Sequence, residues 1–401
     1  MDPIAQVSRW LTGEGRFVGG NRELLEKLCA LIVEVGVPLA RSWFHIRALR
    51  PGYAGVSRIW RRGQKIEERF LDHGFEKTAA YLNSPVRFVV EHRDIREWRL
   101  DSGKALPFPV LEELRAAGYV HYVIAPIIFS DGTANAISWA TDHSGGFSAA
   151  DLQFFAEILP GLSLLVEVKS LRRFATSVLA TYVGREPGEL ILKGQVRRGS
   201  VRTIRAALML ADLRDFSAMS DALPPAAVIE TLNQYFDCVI PPITRRGGEV
   251  MEIMGDGVLA IFNDGADGPR EACRRAFEAA TEGLQALARS NQAAGGQDKL
   301  VAGFALHHGT VAYGNIGSGE RLDFTVIGRD VNLTSRIEKL CRELGRQMIM
   351  SETFVGLLQE PMFEIGHFAL RGVPKMQLLY GLPPEFPIDD AAAVASPTDE
   401  G

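Results

Sequence analysis

An apolar segment that ends beside an aspartate is followed, in the second half of this chain, by an apolar hairpin with another aspartate at its tip. The segment AALMLADL is apolar enough for a buried strand, and Asp212 lies near its end. EVMEIM and VLAIF predict the two strands of the hairpin, with Asp256 in the GDG turn between them. If these strands are neighbours in one sheet, the two carboxylates lie together at its edge.

The elements that follow alternate between helical and strand patterns. Pro224 and Pro225 open an amphipathic helix before the hairpin, and a long helix is predicted at about 269–289 after it. Next come the strands VAGFALHHGTVAYGNIG and DFTVIG, the helix VNLTSRIEKLCREL, the strand QMIMS and a closing pair of strands. This order predicts a mixed domain, of α+β or α/β class, over residues 204–381.

The chain is long enough for two or three domains, at about 150 residues each. Residues 1–165 read as a first α/β unit, because helices flank apolar, β-rich segments. Residues 166–203 are arginine-rich and helical with a break at Gly184, which predicts a connector of two helices. Residues 388–401 are small, acidic and aperiodic, so we expect a disordered tail.

Charge and cysteine content exclude several classes of protein. Lys and Arg total 44 against 49 Asp and Glu, so the chain has no general basic field for nucleic acid or an anionic membrane. The four cysteines do not have zinc-ligand spacing. The longest apolar run, at about 119–129, is half of the ~20 residues that a membrane helix needs, and the N-terminus lacks a signal-peptide core. We expect a cytoplasmic protein with no membrane insertion and no nucleic-acid partner.

The two aspartates have a metal-binding interpretation and a plain structural one. Mg²⁺ prefers one or two carboxylates together with phosphate oxygens, so Asp212 and Asp256 could share a pair of hard cations. Alternatively, Asp212 caps the following turn and Asp256 is an ordinary hairpin residue. Asn332 and Arg336 are four residues apart on a predicted helix and share one face, where they could meet a sugar and a phosphate or simply face solvent.

Four segments together resemble the catalytic domain of class III nucleotidyl cyclases, the adenylate and guanylate cyclases. They are ADLRDFS, GGEVMEIMGDGVLAIF, YGNIG and LDFTVIGRDVNLTSRIE, within about residues 200–381. The resemblance implies a ferredoxin-like, palm-type fold for this domain. The pattern of the first unit, with its FSAADLQFF helix entry, is similar to a GAF-type sensor domain, although it contains no identifiable ligand residue.

The resemblance implies a role for each matching residue. Asp212 and Asp256 match the aspartates that hold two Mg²⁺ or Mn²⁺ ions, with the Leu213 carbonyl as an extra ligand. Phe216 and Ser217 match the turn whose N–H groups cradle the triphosphate.

Asn332 matches the asparagine that orients the ribose, and Arg336 the arginine that stabilises the transition state. The implied reaction is attack of the ribose 3′-oxygen on the α-phosphorus of ATP or GTP, with release of pyrophosphate. Because the family draws the aspartates from one subunit and the asparagine and arginine from the other, the resemblance implies a homodimer. The N-terminal unit would then regulate it through an unknown small-molecule or protein signal, or serve only as a dimerisation platform.

The base specificity stays open between ATP and GTP. Glu252 and Thr325 occupy the positions at which the family reads the purine, and adenylate cyclases have lysine in place of Glu252. An ionised glutamate only accepts hydrogen bonds, which suits the N1–H and 2-amino groups of guanine, whereas Thr325 fits either base. Alternatively, Glu252 turns away and pairs with an arginine, and the domain binds nucleotide as a catalytically degenerate signalling module.

The cation that binds the departing pyrophosphate is also uncertain from the sequence. Lys375 and Arg371, in ALRGVPKMQ, are candidates against a plain surface turn. His307 and His308 lie on alternating faces of a predicted strand, which favours a structural role over a metal site.

Overall fold

The computed structural model describes residues 2–50, 53–194, 199, 201–295, 299–318, 320–384 and 386. The segment 388–401, predicted to be disordered, lies outside the described residues. The chain divides into two units, Met1–Val178 and Leu179–Gly401. The division falls inside the predicted connector.

The N-terminal unit is built on a six-stranded sheet in which every neighbouring pair is antiparallel. Its helices are α1 (Pro3–Thr12), α2 (Asn21–Glu34), α3 (Ala79–Leu82), α4 (Pro85–His92), α5 (Pro109–Ala116) and α6 (Ala149–Tyr182). Its strands are β1 (Arg41–Arg50), β2 (Tyr53–Arg61), β3 (Glu67–Leu71), β4 (Arg96–Arg99), β5 (His121–Ile128) and β6 (Ala134–Thr141). The strand order is β3-β2-β1-β6-β5-β4.

Both faces of this sheet are covered, because alternate residues of its central strands enter different cores. Val123 and Ile127 of β5 pack in the core that α1, α2 and α6 complete. Ile124, between them, packs in the core that α4 and α5 complete. The sequence did not predict β3 and β4, whose residues EERFL and REWR are mostly polar and only partly buried at the two sheet edges.

Helix α6 begins as predicted and extends further than any other helix in the described chain. Ser148 and Asp151 cap it reciprocally, with the Asp151 N–H donating to the Ser148 hydroxyl at 3.2 Å and the Ser148 N–H to the Asp151 carboxylate at 2.8 Å. Among the described residues, α6 is the one helix long and apolar enough to cross a membrane, with a mean hydropathy of 1.4 over 18 residues. Core helices of soluble proteins meet the same criterion, so this is weak evidence for a span.

The C-terminal unit is a mixed α/β domain on an eight-stranded sheet. Its helices are α7 (Arg185–Leu192), α8 (Phe216–Ala222), α9 (Pro225–Arg245), α10 (Pro269–Ala293), α11 (Arg329–Glu343) and α12 (Glu352–Leu358). Its strands are β7 (Val201–Leu213), β8 (Glu249–Met254), β9 (Gly257–Asn263), β10 (Ala302–Gly317), β11 (Leu322–Ile327), β12 (Met348–Ser351), β13 (Phe363–Phe368) and β14 (Gln377–Gly381). The path through the sheet is β13-β14-β12-β10-β7-β9-β8, and β11 pairs with β10.

The centre of this sheet has the β-α-β-β-α-β order of a ferredoxin-like fold. Strand β7, helix α9, the β8–β9 hairpin, helix α10 and strand β10 follow one another, and the strands lie in the order β10-β7-β9-β8. Short helices α8 and α12 were not predicted, because seven residues give fewer than two full turns of apolar periodicity.

The side chains of β7 alternate between the two faces of the sheet. Met209, Ala211 and Leu213 pack in the core formed with α9 and α10. Asp212 lies between them, so its side chain points to the opposite face, where α11 packs around Ile337.

The connector has the predicted helix, break and second helix, but β7 begins at Val201, inside its predicted range. The start of α7 is attached to β8 by Glu249. One oxygen of Glu249 accepts from the N–H of Glu186 at 3.0 Å, and the other accepts from the Tyr313 hydroxyl at 3.0 Å. Gly184, with φ of 101°, forms the break.

Gly248, just before β8, should tolerate no side chain. A Cβ there would lie 2.5 Å from the Phe262 ring and 2.8 Å from Ile243, so Gly248→Ala should lower the free energy of unfolding by roughly 1–3 kcal/mol. Gly356, inside α12, is open by contrast: a Cβ there would meet no atom of the described residues within 4 Å, so Gly356→Ala should raise it by about 0.5–1 kcal/mol. Urea unfolding of the wild type and both variants checks these changes. Equal unfolding midpoints for the three proteins would contradict them.

Candidate active site

The structure brings Asp212 and Asp256 together. Asp212 lies at the end of β7, and Asp256 lies in the turn between β8 and β9, the strand that pairs with β7. Burial, followed by the hydrogen bond and the negative charge of Asp212, raises the pKa of Asp256 to about 7. Without a cation, the two carboxylates therefore resist being ionised together.

The backbone beside this pair has both a donor and a strained turn. The N–H of Leu213 donates to the carboxylate of Asp256 and lowers its pKa against the larger effects of burial and Asp212. Asp215 then takes a left-handed conformation with φ of 56°, and α8 begins at Phe216 with no side-chain cap from the described residues. The N–H groups of Phe216 and Ser217, in the first turn of α8, have no acceptor within the helix, and they follow Asp212 closely in sequence.

A third carboxylate and two arginines surround Asp212. Nη2 of Arg342 lies 3.7 Å from Oδ2 of Asp212, and Nη1 of Arg214 lies 3.7 Å from Oε1 of Glu338. Burial, and after it the charge of Asp212, raises the pKa of Glu338 to about 7. Burial also raises the pKa of Tyr235 well above its ordinary value, with a smaller contribution from Asp212.

Sequence reasoning missed these neighbours of Asp212. Two signals could have found them. Arg214 is two residues after Asp212, so strand alternation puts both side chains on one face. Glu338 and Arg342 are four residues apart on α11, and Glu338 falls in the buried stripe with Ile337 and Cys341.

Asn332 and Arg336 lie on a different face of α11. With 100° of rotation per residue, the direction of this pair differs by about 120° around the helix axis from that of Glu338 and Arg342, which face Asp212. Arg336 instead lies beside Gly372, where an added Cβ would be 3.4 Å from its Nη2. One chain therefore brings the two aspartates together but turns the asparagine and the arginine elsewhere.

Arg371 and Lys375 are both exposed, on the segment before β14 that includes Gly372. Gly372, next to Arg371 in the sequence, lies beside Arg336, so this segment approaches α11 at Arg336.

Glu252 and Thr325 also come together. The hydroxyl of Thr325 donates to Oε2 of Glu252 at 3.5 Å. A β-bulge between Val250 and Glu252 puts Met251 in the core and leaves Glu252 exposed. The two residues line a cleft of about 890 Å³. This contact differs from the alternative in which Glu252 turns away to pair with an arginine.

The structural role predicted for the two histidines is confirmed. His307 is buried and its Nδ1 lies 2.8 Å from the Ser351 hydroxyl, while Nε2 of His308 lies 2.9 Å from Asp264. Both rings thus have partners in the fold.

The donor chemistry of the Asp212–Asp256 pair suits hard divalent cations. In the described part of the chain, no three His, Cys, Asp or Glu side chains are arranged to hold a metal ion together. Two repelling carboxylates with few protein ligands match the preference of Mg²⁺ for one or two carboxylates, with water and phosphate oxygens completing its shell. The pair fits a substrate-dependent metal site better than a closed structural one.

Comparison with known proteins identifies the second half of the chain. The profile of the family "Adenylate and Guanylate cyclase catalytic domain" matches residues 200–381. An adenylate cyclase of Anabaena cylindrica is 33% identical over 183 residues, which are 44% of this chain and 34% of that protein. Adenylate cyclase 1 of Rhizobium meliloti is 29% identical over 248 residues, 58% of this chain and 36% of that protein.

A solved guanylyl cyclase, Cya2, is 29% identical over 48% of this chain and 98% of that chain, with a TM-score of 0.40. The matches to the two curated relatives span about a third of their length. The region that the profile matches contains the paired aspartates. Residues 200–381 therefore belong to the adenylate and guanylate cyclase family, the class III nucleotidyl cyclases.

Proposed function

We propose that this chain converts ATP or GTP to the 3′,5′-cyclic monophosphate and pyrophosphate. The main support for this proposal is the proximity of Asp212 and Asp256 in a domain of this family. Catalysis then depends mainly on positioning and on charge, since the reacting groups belong to the nucleotide itself.

Each chain supplies one half of a site. Asp212 and Asp256, with the Leu213 carbonyl, hold the two Mg²⁺ or Mn²⁺ ions. When bound, these ions supply activation of the ribose 3′-oxygen and neutralisation of the phosphate charge. Free N–H groups at Phe216 and Ser217 orient the triphosphate by hydrogen bonds to its oxygens.

The other half of each site comes from a second copy of the chain. Asn332 orients the ribose, and Arg336 stabilises the charge that develops on the α-phosphate. The arrangement on α11 supports this division, because the face with Asn332 and Arg336 is about 120° from the face that meets Asp212. A homodimer with twofold symmetry then has two equivalent sites.

Exposed apolar residues on α6 support the association of two copies. Leu164, Val168 and Leu171 are each more than half exposed. Together with Ala175 and Val178, these residues are spaced alternately four and three residues apart, which is the repeat of a coiled coil. In a parallel pair of such helices, Glu167 of one copy falls opposite Arg172 of the other, five residues on, with opposite charge.

The N-terminal unit regulates the dimer in this proposal. Its antiparallel sheet, with the first and last helices on one face, has the pattern on which the similarity to a GAF-type domain rests. We assign it an unidentified small-molecule or protein signal, and we place the whole protein in the cytoplasm.

Mixing two inactive variants tests the shared sites. Asp256→Asn and Arg336→Ala should each lose at least about 100-fold in cyclisation rate, because each removes charge stabilisation that only the transition state uses fully. After mixing at equal concentration, half of the dimers contain one intact site out of two, so about a quarter of wild-type activity should return. Cyclic nucleotide formed from ATP or GTP with Mg²⁺ or Mn²⁺ is the measurement.

No recovery on mixing would contradict the shared-site arrangement. If the wild-type protein forms no cyclic nucleotide from either substrate but is stabilised by nucleotide, the domain is the degenerate binding module instead, and the enzyme proposal is wrong.

The contact between Glu252 and Thr325 supports a role for both in reading the base. Glu252→Lys replaces an acceptor with a donor, so the ratio of kcat/KM for ATP to that for GTP should rise about tenfold or more. Glu230→Lys makes the same charge change on an exposed position of α9 and should leave the ratio unaltered. An unchanged ratio in Glu252→Lys would mean that this residue does not read the base.

The repulsion between the aspartates predicts a stability difference that depends on pH. Because the folded-state pKa of Asp256 is raised, its ionisation destabilises the metal-free protein as the pH rises from about 4 to about 7. Asp212→Asn removes one charge, so at pH 8 in EDTA its Tm should exceed the wild-type value by about 2–4 °C, after allowance for screening by water. This gain should shrink at pH 5.

Divalent cations should reverse the order of the Tm values of the wild type and Asp212→Asn. Mg²⁺ or Mn²⁺ with a nucleoside triphosphate should raise the Tm of the wild type and leave Asp212→Asn nearly unmoved. Asp237→Asn, at an exposed position on α9, is the control and should behave as wild type. A lower Tm for Asp212→Asn than for wild type in EDTA at pH 8 would contradict the predicted repulsion.

A further inference from the structure

Arg214 occupies a space beside Asp212 that another residue leaves empty. Gly303 of β10 pairs directly with Asp212 of β7. A Cβ added to Gly303 would lie 2.7 Å from Cζ of Arg214 and even closer to its Nη2. The guanidinium therefore fills the position where a side chain at 303 would stand, on the same face of the sheet as Asp212. Any other residue at 303 would expel it.

The hydrogen bonds of this guanidinium are incomplete. The side chain is 13% exposed, and Nη2 donates to the carbonyl of Arg346 at 3.1 Å. Nη1 is buried and has no hydrogen-bond partner among the described residues. Oε1 of Glu338, 3.7 Å away, likewise has none within that part of the chain. A buried charged donor without an acceptor is costly, so this one is suited to a ligand with anionic oxygens.

A second arginine reaches the same place from α11. Nη2 of Arg342 lies 3.7 Å from Oδ2 of Asp212, and its side chain is 59% exposed. The two guanidinium groups thus approach the metal aspartate from the strand and from the helix. Arginine suits phosphate recognition because its planar fork can donate two parallel hydrogen bonds.

We propose that Arg214, assisted by Arg342, binds the β- and γ-phosphates of the substrate and holds the departing pyrophosphate. This inference rests on the proposed cyclase function and names the residues of one part of that site. It assigns the pyrophosphate to cations in the same chain as Asp212 and Asp256. Arg371 and Lys375, the candidates from the sequence, are on the segment whose Gly372 lies beside Arg336, so in the proposed dimer they would approach the phosphates from the second copy.

Calorimetric titration of inorganic pyrophosphate with Mg²⁺ into the full chain tests the proposal. Arg214→Gln should raise the Kd for pyrophosphate about 10- to 100-fold, as expected when a charge-assisted hydrogen bond is lost. Arg214→Lys keeps the charge but not the fork, so it should recover part of the affinity. In product-inhibition assays, Arg214→Gln should raise the inhibition constant of pyrophosphate by the same factor.

Arg346→Gln is the matched control, because its guanidinium stacks on the Phe363 ring at 5.3 Å although its carbonyl accepts from Arg214. It should bind pyrophosphate as wild type does. Arg214→Gln leaves Glu338 buried without its cation and could fail to fold. The double variant Arg214→Gln/Glu338→Gln removes both charges, so it should regain a wild-type Tm and still bind pyrophosphate weakly.

The two proposals fail in different ways. A wild-type protein that forms cyclic nucleotide, together with Arg214 variants that bind pyrophosphate within twofold of wild type, would overturn this inference alone. A wild-type protein that neither forms cyclic nucleotide nor binds pyrophosphate would overturn the proposed function and this inference with it.

Discussion

The pairing of β7 with β10 is the interaction on which the catalytic domain depends. The two strands stay in register from Ala302 and Leu213 at one end to Gly314 and Val201 at the other. This long central ladder fixes the alternation of β7, which sends Leu213 into the helical core and Asp212 to the opposite face. A slip of one residue would exchange the two and bury a carboxylate among apolar side chains.

Charge at the end of β7 is unbalanced in the metal-free protein. Asp212, Asp256 and Glu338 lie close enough for burial and mutual repulsion to raise the pKa of two of them to about 7. Arg214 and Arg342 compensate only in part, since both ion pairs are 3.7 Å long. In the proposed function, cations and phosphates would complete this site together, which would tie the affinity for each to the presence of the other.

Much of the catalytic domain could be predicted from its sequence, because its central strands are apolar and its turns have distinct residues. The proximity of Asp212 and Asp256 follows from strand and hairpin patterns alone. The contact between Glu252 and Thr325 does not, since it depends on a bulge that no local pattern specifies. Strand alternation puts Arg214 on the face of Asp212, but the space that it fills depends on Gly303, which is distant in sequence and adjacent only through the ladder. The edge strands β3 and β4 were missed because partly exposed strands need no apolar run.

The attachment of α7 to Glu249 has a mechanical consequence. Glu249 is the first residue of β8, and the same six-residue strand contains Glu252 and leads into the turn with Asp256. In the proposed function, the residues that read the base and hold the metal ions are thus linked to the connector through one strand. A displacement of α7 would therefore move Glu249 first, and through β8 it would act on both groups of residues at once.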